Sequence, residues 1–137
     1  MLYVPGDKPR ALEKARTLPC DGIILDLEDA VAPEAKAGAR QTIAEAVAPG
    51  YGQCELILRL STEDCADDFA LADTLSIHGV LLPKVENPEA VRAAAARTRH
   101  PVWCMIETPL GILRAAEIAG ASDRLAGFVA GTNDLTN

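Results

Sequence analysis

The chain has 137 residues, of which 49% are hydrophobic, and this is enough apolar material for the core of one domain. Thirteen basic residues against twenty acidic ones give a net charge of −7, with no run of Lys or Arg, so the positive surface needed for nucleic-acid binding is missing. No apolar run reaches the length of a membrane span, and MLYVPGDKPR lacks the basic start and long apolar stretch of a signal peptide, so we expect a soluble, cytoplasmic protein without membrane contact.

Short apolar, β-rich runs alternate along the chain with alanine-rich stretches of helical character. This pattern predicts strands at 2–4, 22–27, 54–60, 79–83, 102–107 and 125–131, and helices at 8–17, 34–47, 64–76, 88–98 and 110–120. Asn87 is the predicted cap of the fourth helix, because Pro88 and Glu89 follow it as first-turn residues. The strands are nearly continuous in apolar residues, which indicates that both faces of a parallel sheet are covered.

The ends of the predicted strands carry charged residues about one βα unit apart. In chain order, the residues at these ends are Pro5, Glu28, Arg59, Lys84, Glu107 and Asp134. A (β/α)8 barrel builds its active site at this rim, whereas an open sheet concentrates ligand groups at one switch point. We therefore predict an α/β protein with a TIM (β/α)8 barrel fold. Because a whole barrel takes about 250 residues, residues 1–137 are predicted to be a single incomplete barrel domain, an N-terminal portion with about six βα units.

Glu107 ends the apolar run VWCMIE, where a carboxylate without a partner costs several kcal/mol. Asp134 ends the neighbouring predicted strand, and two carboxylates in this arrangement can share a divalent cation such as Mg²⁺. The alternative is that Glu107 caps the helix starting at Pro109 and that Asp134 caps a turn. The spacing alone leaves both interpretations open.

Arg59 ends an otherwise apolar strand and can fork onto a carboxylate or stabilise an enolate oxygen. Its alternative role is an ion pair with Glu28 or Asp29 on the neighbouring strand. Alternation along the strand places Asp26 and Glu28 on the same side, so this pair needs a nearby cation such as Arg59 or Lys84. Glu28, Asp29 and Lys84 are therefore candidates for supporting contacts around the metal site, such as a carboxylate that accepts a hydrogen bond from metal-bound water.

No chemistry is predicted at the opposite end of the strands. His78 and His100 precede strands there, and we expect both to be solvated surface residues. The four cysteines form no CxxC pair, which favours reduced structural thiols over a disulfide framework or a zinc site.

Six motifs occur in a fixed order along the chain: LYVPGDKPR, ILDLEDAV, LILRLS with its strand-end arginine, LLPKVENPEAV, MIETPLGIL and GTNDL. As a set they resemble the HpcH/HpaI aldolase and citrate lyase superfamily, most nearly the citrate lyase beta subunits (CitE) and CitE-like proteins. This resemblance implies a (β/α)8 barrel that assembles as a homotrimer. It also implies that Glu107 and Asp134 hold Mg²⁺, and that Arg59 and Glu107 are the catalytic residues that contact the substrate.

The function implied by the resemblance is magnesium-dependent carbon-carbon cleavage. The substrate would be a 3-hydroxy-3-carboxyacyl thioester of citryl, malyl or citramalyl type, carried on coenzyme A or an acyl carrier protein. The products would be a 2-keto acid such as oxaloacetate and an acetyl thioester. Asp29 stands where the pyruvate aldolases of the superfamily usually have histidine, which favours the thioester branch, while Ser61 replaces an asparagine that is frequent in the family. Two alternatives are a class II pyruvate aldolase acting on 4-hydroxy-2-keto acids and a non-catalytic barrel fragment.

Overall fold

The computed structural model describes residues 1–131, which contain one six-stranded sheet. Its strands are β1 (Leu2–Pro5), β2 (Gly22–Asp26), β3 (Glu55–Arg59), β4 (Gly79–Leu82), β5 (Val102–Ile106) and β6 (Leu125–Ala130). All neighbouring strands are parallel, and their order in the sheet is their order along the chain. This is the arrangement of six consecutive units of a (β/α)8 barrel, so the predicted fold class is confirmed.

Helices connect the strands in the positions that the sequence pattern predicts, with shorter bounds. They are α1 (Pro9–Ala15), α2 (Lys36–Val47), α3 (Ala66–Thr74), α4 (Pro88–Arg97), α5 (Pro109–Leu113) and α6 (Ala115–Ala119), with a 3-10 turn at Pro33–Ala35 before α2. The Asn87 side chain caps α4 as predicted, because it accepts a hydrogen bond of 2.9 Å from the Ala90 N–H. The predicted helix 110–120 is instead two short helices, which meet where Arg114 has φ −100° and ψ 8°.

The sheet buries apolar side chains on both faces. The larger cluster lies on the helix side, where strand residues such as Leu25 and Leu58 pack with Leu12 and Ile43 of α1 and α2. The smaller cluster lies on the opposite face and consists of Ile24, Ile57, Leu81 and Met105, with Trp103 and Val129 packed against it. Asp26 and Arg59 come two residues after Ile24 and Ile57, so alternation places both charged groups above this smaller cluster.

The two outer strands differ from the central ones. Within residues 1–131, β1 pairs only with β2, and β6 pairs only with β5. Tyr3 of β1 is 42% exposed and Phe128 of β6 is 39% exposed, whereas every residue of β2 and β4 is buried.

Within residues 1–131 the longest helix has twelve residues, and none is long and apolar enough to cross a bilayer.

The two histidines lie at the amino ends of the strands, and one of them contradicts the sequence prediction. His78 is exposed as expected, and its Nδ1 accepts a hydrogen bond of 2.9 Å from the Leu56 N–H. His100 is buried, with Nε2 2.9 Å from the Ala72 carbonyl oxygen. The Ala72 carbonyl at the end of α3 accepts from the Leu75 N–H and from the His100 ring, so the buried ring has a hydrogen-bond partner.

Candidate active site

Arg59 and Asp26 form the centre of the polar rim at the carboxyl ends of β3 and β2. The two residues face each other in the strand register, and the guanidinium forks onto the carboxylate, with Nε to Oδ1 and Nη2 to Oδ2 both 2.7 Å. Both residues are buried. Burial alone lowers the pKa of Arg59, but the hydrogen bonds and charge of Asp26 outweigh this and raise that pKa above its ordinary value. The guanidinium is therefore charged and fixed in orientation.

Glu28 and Asp29 extend this network towards Lys84. Arg59 Nη1 lies 2.8 Å from Glu28 Oε2, and Lys84 Nζ lies 2.6 Å from Glu28 Oε1 and 3.4 Å from Asp29 Oδ1. Burial raises the pKa of Glu28 despite these two cations. The pKa of the more exposed Asp29 is lowered, because Glu28, Lys84 and Arg59 together outweigh its partial burial. The predicted cation for the Asp26 and Glu28 pair is thus confirmed: Arg59 contacts both, and Lys84 contacts Glu28.

Glu107 is buried where β5 ends, and the backbone of Lys84 holds one of its oxygens. The Lys84 N–H donates to Glu107 Oε1 over 2.8 Å, and Lys84 has a φ of +49°. The alternative role of Glu107 as a helix cap is wrong. The cap of α5 is Thr108, whose Oγ1 accepts a hydrogen bond of 3.0 Å from the Gly111 N–H.

The end of β6 lies directly against Glu107. The Gly131 N–H donates to the Ile106 carbonyl over 3.0 Å. A Cβ atom added at Gly131 would stand 2.4 Å from Glu107 Cβ and 2.7 Å from its Oε2, so only glycine fits here. Asp134 lies outside the described residues, and its pairing with Glu107 stays a prediction. Within residues 1–131, no three His, Cys, Asp or Glu side chains lie close enough together to hold a metal ion.

A cleft of about 370 Å³ opens beside the ion network, with Glu28, Ser61 and Lys84 in its lining. Asp68 holds Ser61 in place, because the Ser61 Oγ and N–H both donate to Asp68 Oδ2 over 2.6 Å. Asp68 is fully buried and pairs with Arg40 of α2, whose Nε is 2.6 Å from Oδ1. The sequence does not indicate this buried ion pair, since an acidic residue in the first turn of a helix is common.

Comparisons with known proteins agree with this architecture. A family model described as HpcH/HpaI aldolase/citrate lyase matches residues 1–137. The chain is 46% identical to a (3S)-malyl-CoA thioesterase of Cereibacter sphaeroides, over 98% of this chain and 49% of that protein. It is 34% identical to the citrate lyase subunit beta of Escherichia coli, over 98% and 50% of the two chains.

A solved structure of the citrate lyase beta subunit of Mycobacterium tuberculosis, complexed with oxaloacetate and magnesium, matches with a TM-score of 0.81 and 33% identity. The match covers 98% of this chain and 58% of that one. The chain spans about half the length of the curated relatives it matches.

Proposed function

Because the chain belongs to the HpcH/HpaI aldolase/citrate lyase family, we propose that its strand-end site serves a magnesium-dependent carbon-carbon lyase. The substrate is a 3-hydroxy-3-carboxyacyl thioester, and the products are a 2-keto acid such as oxaloacetate and an acetyl thioester. The observation that carries this proposal is the placement of a fixed, buried guanidinium, Arg59, at the same rim as the buried carboxylate of Glu107. The bound oxaloacetate and magnesium of the similar M. tuberculosis protein support it.

Glu107 fits one half of the magnesium site in this proposal. It offers a carboxylate oxygen, the donor type that Mg²⁺ prefers, and any side chain at position 131 would collide with this carboxylate. Asp134 is the proposed second ligand. When bound, the metal would polarise the substrate's hydroxyl and carboxylate oxygens as a Lewis acid.

Arg59 binds the substrate carboxylate or stabilises the enolate charge in this proposal. Asp26 occupies Nε and Nη2 of the guanidinium, and Nη1 donates to the Met105 sulfur, a weak acceptor, over 3.4 Å. We therefore place the ligand carboxylate at Nη1. Glu28 Oε2 lies 2.8 Å from Nη1, yet this oxygen has no hydrogen bond of good geometry among the described residues. A substrate carboxylate can therefore replace Glu28 at Nη1, while Lys84 continues to neutralise Glu28.

The thioester carrier is coenzyme A or an acyl carrier protein, and the name of the relative from Cereibacter favours coenzyme A. That name also favours a second candidate function, which is hydrolysis of the thioester. Incubation of the chain with malyl-CoA distinguishes the two, because cleavage gives acetyl-CoA and glyoxylate whereas hydrolysis gives malate and free coenzyme A.

A homo-oligomer, with three copies as the family resemblance implies, is part of the proposal for the active protein.

Thermal unfolding with magnesium and oxaloacetate tests the site itself. Ligands that bind only the folded chain raise its stability by about 2.7 kcal/mol at 100 times Kd. We expect the midpoint of the parent chain to rise by several degrees. Glu107→Gln removes the carboxylate charge, and Gly131→Ala drives a methyl group into Glu107, so both variants should lose this rise.

Gly120→Ala is the matched control for the glycine variant. A Cβ atom at Gly120 finds no atom nearer than 3.8 Å, so this variant should keep the full ligand-dependent rise. A cooperative transition of the parent chain that magnesium and oxaloacetate leave unmoved contradicts the proposed site. In that case the non-catalytic alternative replaces the lyase, whereas a response to pyruvate but not to oxaloacetate or a thioester indicates the aldolase.

A further inference from the structure

Two cysteines meet at the amino end of the sheet, on the side opposite to Arg59 and Glu107. Cys20 precedes β2 and Cys54 precedes β3, and the register of these strands, which pairs Gly22 with Glu55, brings the two positions together. Their Sγ atoms are 4.0 Å apart, and the Cys54 thiol donates to the Cys20 carbonyl oxygen over 3.0 Å. Both residues are partly exposed. The site described above does not use this pair of thiols.

We propose that Cys20 and Cys54 are a reversible oxidation site, at which a low-molecular-weight disulfide such as oxidised glutathione converts the two thiols into an intramolecular disulfide. The thiolate of one cysteine attacks a sulfur of the oxidant, which forms a mixed disulfide and releases one thiol. The other cysteine loses its proton and attacks the protein sulfur of the mixed disulfide, which releases the second thiol. Two electrons pass to the oxidant, and the two protein protons end on the released thiols.

The geometry selects this pair over the other two cysteines. A disulfide has an S–S bond of about 2.05 Å, so rotation of the two side chains must close about 2 Å of the observed separation. Cys104 is buried, and burial raises the pKa of its thiol to about 12, so it supplies almost no thiolate. Cys65 is partly exposed, but its Sγ accepts a hydrogen bond of 3.3 Å from Arg40 and contacts no second thiol among residues 1–131.

The bond would tie the start of β2 to the start of β3 and close a loop that contains β2 and α2. Such a closure removes conformations from the unfolded chain, so it stabilises the folded one. The bond would lie one strand length, about 17 Å, from the rim that holds Arg59 and Glu107. We therefore expect oxidation to raise the thermal midpoint without changing the response to magnesium and oxaloacetate.

The test is oxidation of the intact, folded chain by oxidised glutathione. Partial burial and the contact with Cys54 raise the pKa of Cys20, so the reaction is followed at about pH 8.5 to provide thiolate. Trypsin places Cys20 in peptide 17–36 and Cys54 in peptide 41–59, so the proposed bond appears as a cross-link between these two peptides. The intact mass should fall by two hydrogens, and dithiothreitol should restore both the mass and the midpoint.

Cys20→Ser and Cys54→Ser are the matched variants, because each keeps one thiol of the pair. Each should stop at the mixed disulfide with glutathione, and neither should gain stability on oxidation. Oxidation of the parent in concentrated urea is the second control. In urea the fold no longer holds the Cys20 and Cys54 thiols near each other, so the yield of this cross-link should fall about tenfold. The proposal is overturned if the folded parent gives only mixed disulfides, or if the cross-link is equally abundant in urea.

Discussion

Lys84 combines two roles at one position, and its backbone conformation makes the second one possible. Its ammonium contacts Glu28, while its N–H reaches Glu107 because φ is +49°, in the left-handed region that side chains with a Cβ disfavour. Strain of this kind persists when the surrounding contacts hold the residue in place. Here the contacts are the two carboxylates, so the strained residue connects the ion network of β2 and β3 to the proposed metal ligand of β5.

Replacing Lys84 by glycine and by alanine separates the strain from the ion pair. Both variants lose the ammonium, but only Lys84→Ala keeps a Cβ at positive φ. We expect Lys84→Ala to be less stable than Lys84→Gly by about 1 kcal/mol, as measured by urea unfolding. The control is Ala93, an exposed residue in the interior of α4, where glycine should instead cost about 1 kcal/mol relative to alanine. Equal stability of the two Lys84 variants would contradict strain at this position.

At the scale of elements, Asp68 joins α2, α3 and β3. Its Oδ1 pairs with Arg40 of α2, and its Oδ2 accepts from the N–H and Oγ of Ser61, which follows β3. The Asp68 side chain, which accepts all of these hydrogen bonds, has no solvent exposure. This network supplies the buried carboxylate with hydrogen-bond partners and positions Ser61 in the lining of the cleft.

Asp68→Asn tests this connection. The substitution removes the buried negative charge beside Arg40 and leaves the partly buried guanidinium with a neutral partner and the more distant, exposed Asp67 carboxylate. Breaking a buried pair in this way costs about 3–5 kcal/mol, so the free energy of unfolding should fall by that amount in urea. Asp67→Asn is the matched control. Its side chain is 79% exposed and 3.6 Å from Arg40, so its loss should cost under about 1 kcal/mol. A similar small cost for Asp68→Asn would show that the network does not stabilise the fold.

The elements were predictable where local chemistry decides them. The six strands and the Asn87 cap follow from apolar runs and from first-turn residues, and both are observed. The break at Arg114 was not predictable, because alanine and leucine on either side favour an unbroken helix. The burial of His100 and the Asp68 network also escaped prediction, since each depends on a partner far away in the sequence.

At the scale of the whole molecule, the rim was predictable because carboxyl ends of parallel strands converge on one side of a sheet. Arg59, Glu28, Lys84 and Glu107 therefore follow from strand positions alone. Side-chain alternation predicted only that a cation, Arg59 or Lys84, lies near Asp26 and Glu28. The detailed pairing did not follow. Which nitrogen of Arg59 remains for a ligand depends on the bidentate contact with Asp26, and only the folded geometry shows it.

The outer strands lead to a prediction about the stability of the whole sheet. Within the described residues, β1 and β6 each have one partner strand, whereas β3 and β4 have two. Edge strands open by local fluctuations that central strands do not share, so their amides exchange faster. We expect the amides of β6 to exchange at least about tenfold faster than those of β4 in hydrogen-deuterium exchange followed by mass spectrometry.

The dependence of this exchange on protein concentration identifies what covers an edge. An exposed edge strand is a template for pairing with another chain. If two copies associate through β6, its amides should exchange slowly at high protein concentration and faster on dilution. Protection of β6 that equals that of β4 and persists on dilution contradicts an open edge. It would mean that β6 is not an exposed edge in the folded protein, and that Phe128 of this strand is covered.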